Sequence, residues 1–134
     1  MTIVVDTSVV LALLNPRDDF HPRATALYAS LDEDLVTTPM AVAEMDYLVR
    51  QRAGRSGVDL LWGDLQSGAI QVRWWATAMT ETLAIARARP ALGLADASLL
   101  ALAPVVRTTR IATFDHKHFA AACTTDGEPF TLLP

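Results

Sequence analysis

The sequence predicts a single α/β domain with a mostly parallel sheet of about five strands, covered by helices on both faces. Short apolar runs alternate with helical segments along the chain, which is the pattern of βα units. The length of 134 residues suits one domain. A hydrophobic content of 51% supplies enough apolar side chains for a sizeable core. We therefore expect residues 1–134 to form one domain.

The first three strands are expected where apolar runs are followed by turn or helix signals. Strand 1, residues 2–6, precedes an apolar helix over 8–14, and Asn-Pro opens the turn that follows. Thr38 and Pro39 have the residue types of an N-cap and a first helical position, so a long helix begins there. The remaining elements expected in this part of the chain are a helix at 20–31, a strand at 35–37, a helix break at 53–57, a helix at 58–67 and a strand at 69–74.

The rest of the chain continues the alternation. Residues 77–88 and 92–106 are expected to be helical, the second apolar with a late Pro104. Residues 110–114 form a strand, a short helix follows from His116, and residues 129–133 form the last strand. Trp74 continues the alternation of the strand at 69–74 and is expected in the core, whereas Trp62 and Trp75 could stack bases or form a dimer interface.

Composition and charge exclude several classes of protein. One cysteine, Cys123, allows no internal disulfide framework. Strand-like sequence starts directly after Met1, so a signal peptide is not expected, and no apolar run approaches the roughly 20 residues of a membrane helix. These features predict a cytoplasmic protein with no membrane segment. The net charge of −4 argues mildly against nucleic acid, although ten of the eleven basic residues are arginines, which suit bidentate phosphate contacts.

Four carboxylates stand where apolar residues would be expected. Asp6 and Asp115 each follow an apolar strand, and the carboxyl ends of parallel strands meet at one edge of a sheet. Glu44 interrupts an apolar helical stripe, and Asp96 lies in the first turn of its helix. Helices that follow strands begin at that same edge, so all four acids can converge. Taken singly, Asp6, Asp96 and Asp115 could be helix caps, and Glu44 could reach solvent.

Four converging carboxylates require a counter-charge. Oxygen ligands suit Mg²⁺ or Mn²⁺, and no His or Cys is placed for a zinc site. The three histidines are interpreted as cap, surface or core residues: His21, His116 and His118. A metal held by carboxylates lowers the pKa of a bound water and stabilises charge on phosphoryl oxygens, which indicates phosphodiester hydrolysis.

The stretches "IVVDTSVVLALL", "TTPMAVAE", "GLADASLLALA" and "RIATFDHKHF" resemble the four acidic motifs of PIN-domain ribonucleases, and most of all those of VapC-type toxins of bacterial toxin–antitoxin pairs. The resemblance spans nearly the whole chain. It implies a PIN-like three-layer fold and a Mg²⁺- or Mn²⁺-dependent endoribonuclease that cuts tRNA or rRNA and blocks translation. It also implies a homodimer inhibited by a VapB-type antitoxin.

Motif by motif, the resemblance implies catalytic roles for Asp6, Glu44, Asp96 and Asp115. Asp6, Asp96 and Asp115 would be the nearest metal ligands, and Glu44 would hold a second ion or orient the attacking water. The hydroxyls of Ser8 and Thr113 also fit such a site, although helix-start and strand-end chemistry explains them equally well. The alternative function is a catalytically inactive PIN-like module that only binds protein or RNA.

Overall fold

The computed structural model describes residues 1–124 and 126–134, and it confirms the expected α/β class with a five-stranded parallel sheet between helices. The strands are β1 Thr2–Val5, β2 Asp34–Thr37, β3 Ile70–Val72, β4 Arg110–Ala112 and β5 Thr131–Leu133. They lie in the order β3-β2-β1-β4-β5, and every pair of neighbouring strands is parallel. The helices are α1 Thr7–Leu14, α2 His21–Ser30, α3 Pro39–Ser67, α4 Ala78–Ala88, α5 Leu94–Val105 and α6 His116–Phe119. Within the described ranges, no helix is both long and apolar enough to cross a membrane.

β1 is the centre of the sheet and of the core. Ile3, Val4 and Val5 are fully buried, as expected of a strand with both faces covered. Val4 pairs with Val36 of β2 on one side and with Ile111 of β4 on the other. Because these strands are parallel, their carboxyl ends share one edge of the sheet. The residue that follows β1 therefore lies at the middle of that edge.

The start of α3 and the break within it agree with the signals in the sequence. The Thr38 hydroxyl accepts the backbone N–H of Ala41 at 3.2 Å, so Thr38 is the N-cap and Pro39 is the first helical residue. The break expected at 53–57 is a kink at Gly54, whose backbone has φ 66° and ψ −163°. The chain resumes a helix at once and continues to Ser67, so α3 is bent rather than ended.

The prediction that Trp74 belongs to the core is wrong, because its side chain is 42% exposed. β3 is an edge strand that pairs only with β2 in the described sheet, and this pairing ends at Val72. The alternation expected over 69–74 therefore stops two residues before the tryptophan. The neighbouring Trp75 is half-buried instead, and its indole N–H donates to the Glu81 carboxylate at 2.5 Å.

Gly54→Ala is expected to reduce the free energy of unfolding by about 1–3 kcal/mol, because its backbone conformation is one that essentially only glycine adopts. Gly63 in the second half of α3 is the matched control. A Cβ there would meet nothing within 4 Å, so Gly63→Ala should stabilise the helix by up to about 1 kcal/mol. Urea unfolding of the unsubstituted protein and of the two variants measures the free energy of unfolding in each case. Equal changes in that free energy for Gly54→Ala and Gly63→Ala would contradict the prediction.

Candidate active site

The structure brings the four singled-out carboxylates together at the carboxyl edge of the sheet. Asp6 follows β1, Asp115 follows β4, Glu44 lies on α3, and Asp96 lies in the first turn of α5. Carboxylate oxygens of Asp6, Glu44 and Asp96 lie within 4.8 Å of one another. Asp96, Asp115 and a nitrogen of His118 form a second group with the same spacing. Asp96 belongs to both groups, so the four acids form one carboxylate cluster.

Asp6 is held by two hydroxyl groups from different parts of the chain. Its side chain is only 4% exposed. The hydroxyls of Ser8 and Thr113 both donate to its Oδ2 atom at 2.8 Å. Each hydroxyl oxygen in turn accepts a backbone N–H, that of Phe114 for Ser8 and that of Asp115 for Thr113, both at 2.9 Å. These bonds fix the Asp6 carboxylate relative to the loop that carries Asp115.

A buried pair of hydroxyls ties together the two helices that carry the other acids. Ser98 donates to the carbonyl of Ala95 at 2.6 Å, so its single proton is used there. Thr38 must then be the donor in its 2.6 Å hydrogen bond to Ser98 Oγ. Both side chains are fully buried. The bond links the N-cap of α3 to the second turn of α5, and so it joins the starts of the two helices that carry Glu44 and Asp96.

Burial and mutual repulsion make the ionised cluster unfavourable. Burial raises the pKa of Asp6, although the hydrogen bonds from Thr113 and Ser8 oppose this. The pKa of Asp96 is raised to about 7, first by burial and then by the charges of Asp6, Glu44 and Asp115. Asp96 thus carries an unusually high proton affinity for a carboxylate.

Asp115 caps a helix and also contacts a histidine. Its carboxylate accepts the backbone N–H of His118 at 3.3 Å, so the capping alternative holds for this residue. Asp6 also occupies an N-cap position, but in the described chain its carboxylate makes no capping hydrogen bond. The ring Nδ1 of His118 lies 2.5 Å from Asp115 Oδ2. Sequence reasoning missed this neighbour, although a His three residues after an Asp on one helix turn shares its face.

The residues of the cluster fit a hard divalent cation. Across residues 1–124 and 126–134, the only basic side chain in contact with a carboxylate of the cluster is His118, which contacts Asp115 and is positive only when protonated. One imidazole cannot neutralise four carboxylates, so the site has an excess of negative charge. Its ligand atoms are mostly carboxylate oxygens, which Mg²⁺ and Mn²⁺ prefer, and no cysteine contributes.

Comparison with known proteins defines the class. The model of the PIN domain matches residues 3–123, and the chain therefore belongs to the PIN-domain family. Within that family it is similar over its whole length to Ribonuclease VapC26 of Mycobacterium tuberculosis. The two are 32% identical over 135 residues, which cover 98% of this chain and 100% of the relative.

Two solved structures share the fold. Mycobacterium tuberculosis VapC20, a Sarcin-Ricin loop cleaving toxin, aligns with a TM-score of 0.81 and 23% identity over 90% of this chain and 95% of that protein. VapBC2 from Rickettsia felis, bound to a DNA fragment from its promoter, aligns with a TM-score of 0.66 and 12% identity over 100% of both chains. At these identities the two alignments support the fold.

Asp96→Asn is expected to stabilise the metal-free protein, and more strongly at pH 8 than at pH 5. The folded-state pKa of Asp96, about 7, exceeds its ordinary value of 3.8, so the folded protein loses stability as pH rises between these values. Asparagine carries no charge and removes that loss. With a chelator present, the thermal midpoint should rise by about 3–6 °C at pH 8 and by clearly less at pH 5.

Asp59→Asn is the control for this measurement, because Asp59 is an exposed carboxylate on α3 outside the cluster. Its effect on the thermal midpoint should be small and the same at both pH values. If Asp96→Asn shifts the thermal midpoint equally at pH 5 and pH 8, the pKa of Asp96 is not raised by the cluster.

Proposed function

We propose that the chain is the toxin of a VapBC-type toxin–antitoxin pair and a divalent-metal-dependent endoribonuclease. The observation that carries the proposal is the carboxylate cluster at the carboxyl edge of a PIN-domain sheet. The similarity to Ribonuclease VapC26 along the whole chain supports the same activity. The substrate would be a structured cellular RNA, tRNA or rRNA, whose cleavage blocks translation.

In this proposal Asp6, Asp96 and Asp115 hold a Mg²⁺ or Mn²⁺ ion. The bound metal would supply an activated water and stabilise the charge that develops on the phosphoryl oxygens. Glu44, which projects from α3 and is exposed, would orient the attacking water and accept its proton, or hold a second ion. The high proton affinity of Asp96 means that metal binding must displace a proton near neutral pH.

The protein's own hydrogen bonds prepare the ligands for this role. Because Ser8 and Thr113 both donate to Oδ2 of Asp6, they hold the carboxylate in one orientation. The Thr38–Ser98 hydrogen bond likewise holds together the starts of the helices that carry Glu44 and Asp96. Such preorganised support is typical of ligands that must bind without rearrangement.

The partners in this proposal follow from the excess negative charge of the cluster. A VapB-type antitoxin would inhibit the enzyme by placing a basic side chain against the carboxylates. RNA would be held by arginines around the rim, where their charge offsets the net charge of −4. The homodimer and the cytoplasmic location remain predictions.

Cleavage of total bacterial RNA tests the proposal. The chain, purified free of any antitoxin, should produce discrete fragments with Mg²⁺ or Mn²⁺ and none with a chelator. Asp96→Asn should reduce the rate by at least about 100-fold, because it removes a ligand shared by both groups of the cluster. Asp59→Asn makes the same charge change on the surface and should cut normally. Metal-independent cutting, or equal cutting by Asp96→Asn, would overturn the proposal and favour an inactive binding module.

Thr113→Val is expected to weaken metal binding and cleavage by about 10- to 100-fold, because it removes one of the two donors that orient Asp6. It also leaves the Asp115 N–H without its acceptor, which should destabilise the fold by about 1–3 kcal/mol. Thr113→Ser keeps the hydroxyl, so it should retain most of the metal affinity and most of the stability. Calorimetric titration with Mn²⁺ measures the affinity independently of RNA. Equal affinities for the Val and Ser variants would contradict the positioning role.

A further inference from the structure

A cavity of about 560 Å³ opens beside the carboxylate cluster. Ser8 and Asp115, which belong to the network around Asp6, form part of its wall, so the cavity is continuous with the site proposed for catalysis. Its volume lies within the roughly 300–1,000 Å³ of small-molecule sites. The rest of the wall comes from α1, the loop between α1 and α2, α3 and the loop after β4.

Two phenylalanines form an aromatic wall of this cavity. The rings of Phe20 and Phe114 are stacked, with centroids 4.5 Å apart and planes 9° from parallel. The Arg23 guanidinium lies 5.7 Å from the Phe20 centroid and 5.4 Å from the Phe114 centroid. Phe20 is nevertheless 42% exposed. A stacked ring pair that remains open to a polar cavity offers a surface on which another flat ring can stack.

Asn15 contributes a nearly buried amide whose donors are unused. It is 8% exposed and lines the cavity. Its Oδ1 accepts the backbone N–H of Arg17 at 3.2 Å, which fixes the orientation of the amide. In the described part of the chain, no hydrogen bond uses its NH₂ group. Because Asn15 lines the open cavity, these donors are available to a ligand that carries acceptor atoms.

The charged residues around the cavity are two arginines and three carboxylates, and the two arginines can bind an anionic ligand. Arg17 and Arg52 line it, and neither guanidinium forms an ion pair or hydrogen bond with any residue in the described ranges. Asp18 and Asp19 also line it, but the Asp18 carboxylate already accepts the backbone N–H of Phe20 at 2.9 Å. Free guanidinium groups bind phosphates well, and they repel the basic side chains of a peptide.

We propose that this cavity is a nucleotide subsite that holds one unpaired base of the RNA next to the scissile phosphate. The base stacks on the exposed Phe20 ring, which Phe114 supports from behind, and the Asn15 amide donates to an acceptor on the base edge. Arg17 and Arg52 bind the flanking phosphates. This inference rests on the proposed ribonuclease function and adds to it a requirement for a base that is free to leave its helix.

Binding of a five-nucleotide RNA, measured by fluorescence anisotropy with Mg²⁺, tests the subsite. Every protein carries Asp96→Asn so that the RNA stays intact. The RNA is compared with versions in which each nucleotide in turn is abasic. At one position the missing base should weaken binding about tenfold, the usual effect of one stacked base. In Phe20→Leu, the intact RNA should bind about tenfold more weakly, and the missing base should have no further effect.

Tyr28→Leu is the matched control, since Tyr28 is an exposed aromatic on α2 that does not line this cavity in the described chain. It should respond to abasic RNA as the parent does. Arg52→Gln should weaken all the RNAs alike and lower the slope of log affinity against log salt by about 0.7. These controls separate stacking from a general loss of folding or charge.

Three results would overturn the subsite. One is a Phe20→Leu protein that loses as much affinity on base removal as the parent. Another is a parent protein that ignores base removal at every position. The third is a Phe20→Leu protein that binds RNA normally but loses affinity for an arginine-rich decapeptide, since the cavity would then be a peptide site. Base-dependent binding in a protein that never cuts RNA would instead overturn the proposed function and leave the subsite standing.

Discussion

The burial of one carboxylate at the end of the central strand is the constraint on which the site depends. Asp6 follows β1, where the sheet is covered on both faces, and a charge in that place is unfavourable without partners. The hydroxyls of Ser8 and Thr113 partly stabilise this charge by donating to Oδ2 of Asp6. Each hydroxyl oxygen also accepts a backbone N–H from the loop after β4. The burial still raises the pKa of Asp6, so a positive ligand would complete the site.

The parallel sheet explains why the other acids arrive at the same place. Helices α3 and α5 begin at the carboxyl edge and carry Glu44 and Asp96 within their first two turns, and the buried Thr38–Ser98 bond joins the starts of the two helices. The result is a concentration of negative charge beside a cavity lined by two arginines that form no ion pair within residues 1–124 and 126–134. Carboxylates that can bind a metal beside arginines that can bind phosphates suit an enzyme that acts on a polyanion.

Sequence patterns predicted the backbone features that depend on local chemistry. The alternation of strands and helices, the Thr38 cap, the break at 53–57 and the edge shared by Asp6 and Asp115 all followed from residue type and order. Features that depend on tertiary placement were not predictable in this way. Trp74 was misplaced because nothing in its alternation shows where edge-strand pairing ends, and the contact of His118 with Asp115 was missed. The wall formed by Asn15, Phe20 and Phe114 joins residues about 100 positions apart, and no local pattern connects them.

If the carboxylate cluster is a metal site, as proposed, manganese should bind there. Crystals grown with Mn²⁺ and measured at an energy where manganese scatters anomalously would show whether it does. We expect an anomalous peak in contact with the carboxylates of Asp6 and Asp96, at about 2.0–2.3 Å, and its loss in crystals of Asp96→Asn. No peak at saturating Mn²⁺, or a peak that survives the substitution unchanged, would mean that the carboxylates do not form a metal site.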